Sequence, residues 1–123
     1  MNWNELIIFE VGDLYDYEPE MLAELDNPDR RRAVKNILSS RIVRSFRTAV
    51  DRSILDAIQN PWVLKEAGIY LNLQLLFFAN AGGGGVYESK ARHYSELFEE
   101  ELENALLLLE FDGYSRSGVT LAR

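Results

Sequence analysis

The chain has 123 residues, 47% of them hydrophobic and 27% charged, with a formal net charge of −7 and no cysteine. Such a chain buries one core rather than two, and its hydrophobic content excludes a wholly disordered state. The missing thiols exclude a disulfide framework, a cysteine zinc site and a thiol nucleophile.

Charge is segregated along the chain. Residues 1–29 carry nine acids and no base, residues 30–52 carry +7, residues 53–95 balance, and residues 96–112 carry seven acids and no base. This pattern predicts basic and acidic faces that pair, within one chain or between copies.

The opening MNWNELIIFEV has neither a basic leader region nor a small-residue cleavage site, so it does not read as a signal peptide. Its ELIIFEV core reads as a short strand or an apolar peg, followed by a Gly12-Asp13 turn. EPEMLAEL starts a short helix with Pro19 at its first position.

The first long helix is expected from Asn27 as N-cap and Pro28 as first residue to about residue 50. Val34, Ile37, Leu38, Ile42, Phe46, Ala49 and Val50 recur at three- and four-residue steps, with Arg41, Arg44, Arg47 and Arg52 mainly between them. Asn60-Pro61 repeats the cap-plus-proline start. From Pro61 to Ala81 the sequence is apolar on nearly every side, which predicts a helix covered on several faces. Gly68 in that helix suits close approach of another helix. Asn72 and Gln74 break the run, which is also too short to span a bilayer, and the chain is expected to be a soluble intracellular product or part of an assembly made inside a cell.

The last helix is expected from about Val86 to Glu110. Tyr87, Ala91, Tyr94, Phe98, Leu102, Ala105 and Leu109 form a near-heptad stripe, and glutamates occupy much of the remaining surface. Residues 112–123, DGYSRSGVTLAR, lose the helical period and read as a flexible or strand-forming arm in need of a partner edge. The fold class is therefore all-α: a small bundle at 1–111 with an irregular N-terminal segment and an extended C-terminal arm.

Candidate chemistry is thin. Gly82, Gly83, Gly84 and Gly85 follow a helix and precede Val86-Tyr87, where a phosphate-binding loop needs a strand before it and Lys-Ser/Thr after it. They read as a helix C-cap and a slack reversal. His93 is the sole histidine; Glu96 and Lys90 flank it at three residues, but no nucleophile or second imidazole accompanies it. No catalytic, metal-binding or cofactor-binding residues are expected. The basic segment 30–52 raises an alternative, a small nucleic-acid-binding regulator, against which stand the overall acidity and the lack of a groove-reading pattern.

Three stretches carry a family resemblance: RRAVKNILSSRIVRSF, NPWVLKEAGIYLNLQLLFFANAGG, and YESKARHYSELFEEELENALLLLEFDGYSRSG. Together they resemble the small helical head–tail connector (adaptor, or head-completion) proteins of tailed bacteriophages over residues 30–118. The resemblance implies a structural virion protein without catalytic activity. It implies a homo-oligomeric ring, commonly of twelve subunits, under the portal protein, extending the DNA channel and presenting a platform to a further neck, head-completion or tail protein. Subunit or portal contacts are then expected at Arg30, Arg31, Arg41, Arg44, Arg47, Glu99, Glu100, Glu103, the loop Gly82–Gly85, and Tyr114, Arg116, Val119 and Leu121 of the arm. Genomic DNA would pass through the channel without sequence-specific binding.

Overall fold

The computed structural model describes residues 1–46, 52–82 and 85–113. Six α-helices occur among them: α1 (Val11–Leu14), α2 (Pro19–Ala23), α3 (Arg31–Ser45), α4 (Ser53–Asp56), α5 (Lys65–Ala79) and α6 (Val86–Leu108). Two 3₁₀ turns, Trp3–Glu5 and Pro61–Leu64, complete the element list, and no strand occurs among the described residues. The architecture is the all-α bundle that the periodicity predicts.

Its frame is an antiparallel hairpin of α5 and α6. Phe77 stacks on both Tyr87 and Tyr94, at centroid distances of 6.0 and 5.9 Å, and Tyr70 meets Tyr94 at 6.0 Å. The predicted stripe of α6 is the buried one: Ala91, Tyr94, Phe98, Leu102 and Ala105 all face the core. In α5, Ala67, Ile69, Leu71, Leu73, Leu76 and Phe77 are buried, so the helix is covered on several faces. The exception is Phe78, 74% exposed at the loop end. The third layer is α3, which contributes Val34, Leu38 and Ile42. Each fully buried side chain of this size contributes about 1.5–3 kcal/mol relative to exposure.

The start of α3 differs from expectation. Asn27 adopts a left-handed φ of 49° and does not cap; the N-cap position is Arg30. A carboxylate takes over the capping, since Asp29 Oδ1 accepts the Arg31 N–H at 2.9 Å. The backbone is pinned from below by Asn72, whose Oδ1 accepts the Arg30 N–H at 2.8 Å and whose Nδ2 donates to the Pro28 carbonyl at 2.9 Å. The helix described ends at Ser45, short of residue 50, and residues 47–51 lie outside the described set.

ELIIFEV is an apolar peg. Trp3 and Phe9 are both 3% exposed, and the Trp3 indole N–H donates to Ser39 Oγ at 2.7 Å. Gly68 provides the close approach, but to this peg rather than to a helix: a Cβ there would stand 3.1 Å from Phe9 Cδ1 and 3.2 Å from Ile8 Cγ2. Pro19 starts α2 as expected. Asn60 does not cap its 3₁₀ turn; instead its Nδ2 donates to the Leu108 carbonyl and its Oδ1 accepts from Glu110 N–H, both at 2.8 Å, closing α6.

The α5–α6 connection contains two left-handed glycines, Gly82 (φ 58°) and Gly85 (φ 83°). The residue closing α5 is Asn80, not a glycine; its Nδ2 donates to Leu76 O at 2.8 Å. Past α6, Ile58 and Phe111 form one antiparallel bridge, and Phe111 packs edge-on against Phe46 at 4.9 Å.

Candidate functional site

The residues singled out for contacts lie on α3, on the outer side of α6, in the loop, and in the arm. Arg41 and Glu99 find each other within the chain. The Arg41 guanidinium donates NH1 to Oε1 at 2.9 Å and NH2 to Oε2 at 2.6 Å, a two-pronged geometry. Arg41 also lies 5.6 Å from the Phe98 ring centre. The hydrogen bonds from Arg41 hold the Glu99 carboxyl below its ordinary range, and the same bonds raise the guanidinium. Each thus already has a partner within the chain, one on α3 and the other on α6.

Arg31 is likewise engaged, with Asp29 at 3.1 Å and Glu10 at 3.6 Å. Hydrogen bonding to Arg31 lowers the Asp29 carboxyl. Arg30 folds back, donating NH1 to the carbonyls of Asn27 and Asp29 at 2.7 and 3.1 Å. What remains outward on the basic side is Arg32 and Arg44 of α3, with Arg52 beyond it, all exposed and without an ion pair among the described residues. On the acidic side Glu96, Glu100 and Glu103 are exposed. Gly82 and Gly85 sit at the far end of the hairpin, whereas Arg47, Gly83, Gly84, Tyr114, Arg116, Val119 and Leu121 lie outside the described residues.

Two further polar arrangements escaped sequence reasoning. Glu18, 7% exposed, accepts from Lys90 Nζ at 2.5 and 3.0 Å. Beside it the Tyr94 hydroxyl is pushed up by burial and by the Glu18 charge. The Tyr17 hydroxyl donates to both oxygens of Glu66 at 2.8 Å and is raised by burial and that bond. Glu101 is raised by burial, then by Glu66 and Glu100. Asn72 left a trace in the sequence, as an amide within an otherwise apolar helix; Glu18 left none, being one acid among nine.

Exposed apolar side chains mark both ends of the hairpin. Phe78 (74%) and Val86 (58%) lie at the loop end, and Trp62 (71%) and Leu108 (58%) at the other. His93 is exposed and meets the Tyr94 ring edge-on at 5.2 Å. Among the described residues no group of three or more His, Cys, Asp or Glu is placed to hold a metal ion, and no helix is long and apolar enough to cross a membrane. The geometry offers surfaces for binding, with charged sides and apolar ends. Comparison with protein-family models, with curated proteins and with solved structures returns no match to this chain.

Proposed function

We propose that this chain is a structural subunit of a tailed-bacteriophage head–tail connector, forming a homo-oligomeric ring of about twelve copies under the portal. The observation that carries the reading is the chemical difference between its outer sides. Arg32 and Arg44 project from α3 and Glu96, Glu100 and Glu103 from α6, with α3 and α6 already held together by Arg41 and Glu99. A ring made by one repeated head-to-tail contact needs two different, complementary faces on each subunit. The apolar hairpin ends supply further contact surface along the ring axis, toward the portal on one side and a neck or tail protein on the other. Genomic DNA passes through the channel, which needs no base-reading residues. The place of action is the virion, assembled in the host cytoplasm.

The regulator reading draws less support. Arg31 and Arg41 spend their charge on Glu10, Asp29 and Glu99, which leaves fewer cations for phosphates.

Native mass of the purified chain, alone and with a portal, tests the proposal. A closed ring is the expected species, and Arg44→Glu is expected to dissolve it while leaving helicity unchanged. A chain that stays monomeric under both conditions sinks the connector reading; DNA retention that falls steeply with salt would replace it with the regulator.

A further inference from the structure

Between the N-terminal peg and the start of α3 runs a groove of about 370 Å³, with Leu6, Ile8 and Phe9 on one wall and Arg31, Arg32 and Lys35 on the other. Leu6 and Glu10, at the two ends of the first wall, have extended backbone angles, and no helix or strand takes up the residues between them. Among the described residues, no hydrogen bond reaches the N–H or C=O groups of Ile7, Ile8 and Phe9. Ile7 is 63% exposed, so this edge is open to solvent. The facing wall carries charge without a counter-charge. Arg31 is matched by Asp29 and Glu10, but Arg32 has no ion pair among the described residues. Lys35 donates to the carbonyls of Asn4 and Leu6 at 3.1 and 2.6 Å, both uncharged acceptors, and burial lowers its ammonium.

We propose that this groove binds an extended acidic segment of a partner protein, which adds to the open edge at Ile7, Ile8 and Phe9 as one strand and sets its carboxylates at Arg32 and Lys35. Each part of the groove selects one property of the occupant. An unpaired main-chain edge presents donors and acceptors in alternation, which another polypeptide strand answers. A phosphate backbone accepts but does not donate, and would leave the carbonyls of the edge unpaired. The apolar wall at Leu6 and Ile8 takes apolar side chains from alternate positions of the added strand. Arg32 and Lys35 stand about 4.5 Å apart along α3, within reach of carboxylates on alternate strand residues about 7 Å apart. A sequence acidic on one face and apolar on the other meets both demands, and the opposite charges fix its register. A second copy of this chain is the poorer occupant among the described residues. Its acidic stretches are held in its own fold, the peg through buried Trp3 and Phe9 and the later one as helix α6. The inference is independent of the ring.

Titration of the full chain with a blocked decapeptide of alternating glutamate and valine, followed by NMR and amide exchange, tests the proposal. Binding with a Kd below about 1 mM is expected. At least one amide among Ile7, Ile8 and Phe9 should then exchange about tenfold slower, with α5 amides unchanged. Arg32→Glu, at an exposed position that the fold does not depend on, is expected to weaken binding about tenfold, as is replacing the peptide's glutamates by glutamine. An N-methylated peptide keeps the charges but cannot pair with the edge, and is expected not to bind. No binding of the acidic decapeptide at about 1 mM overturns the proposal, and so does equal binding by its N-methylated form. Equal binding by an oligothymidylate overturns it in favour of a nucleic acid. Protection of the edge without peptide that disappears on dilution also overturns it, because a second copy would then be the occupant.

Discussion

Lys90 Nζ stands 2.5 Å from Oε1 and 3.0 Å from Oε2 of Glu18, joining the α1–α2 connection to α6 across 72 residues of sequence. The carboxylate is 7% exposed, so the lysine is what makes its charge tolerable there. Lys90→Met is expected to cost about 3 kcal/mol, since it leaves the carboxylate buried and unpaired. Urea unfolding measures it, and adding Glu18→Leu in the same chain is expected to recover most of the loss.

Asn72 is 0% exposed and holds the chain entering α3 by two hydrogen bonds. Asn72→Leu keeps the volume but strands the Arg30 N–H and the Pro28 carbonyl, at an expected cost of about 2 kcal/mol. Amide exchange at the first turn of α3 should accelerate more than exchange in α6. Equal acceleration would show that the amide acts on the whole core instead.

For Arg41 and Glu99 a double-mutant cycle with alanine is expected to give a coupling of about 1 kcal/mol at pH 7, limited by solvent screening because the Glu99 side chain is 54% exposed. The Glu99 carboxyl is held below its ordinary 4.5 by the bonds from Arg41. A depressed carboxyl adds stability that is present above 4.5 and lost as pH falls through the lower, folded value. The same cycle at pH 3 and below should therefore show the coupling fading.

Glu101 has the opposite sign. Burial, Glu66 and Glu100 raise its carboxyl above the ordinary value, so its ionised form costs stability once pH exceeds that of the unfolded chain. Glu101→Gln is expected to stabilise the fold at pH 7 and to have little effect at pH 4, as thermal melts at the two pH values will show.

Two glycines respond oppositely to alanine. At Gly68 the new methyl would press on Phe9 and Ile8 at 3.1–3.2 Å, with an expected loss of about 1 kcal/mol and a loosened peg. At Gly12 in α1 nothing lies within 4 Å of the new Cβ, and Gly12→Ala is expected to gain about 0.5 kcal/mol. Denaturation midpoints of the two variants should move in opposite directions.

The helices that pack along their length were legible in the sequence, because burial of one face imposes its period: the Ala91–Ala105 stripe and the Val34–Ile42 face read directly. The charge segregation also read through, yet its use did not. Which acid meets Arg41 depends on the rotation of α3 against α6, and that is fixed by core packing rather than by charge. Least legible was the N-terminal peg. Its identity rests on pairs such as Trp3 with Ser39 and Phe9 with Gly68, far apart in sequence and without local period. The cap at Asn27 failed for a local reason: with Asp29 two residues on, the better acceptor took the Arg31 N–H and left Asn27 to the turn.

The short helix α4 holds both ends of the described chain, receiving Met1 and Trp3 through Asp56 and releasing Asp112 from Ala57. The body is thus nearly a closed loop, cut at one corner. A force applied to its two ends loads this clasp first and leaves the α5–α6 hairpin, whose turn lies about 34 Å away along α6, outside the line of tension. Met1 and Gly113 thus stand at one corner, while Gly82 and Gly85 lie at the opposite end of the hairpin.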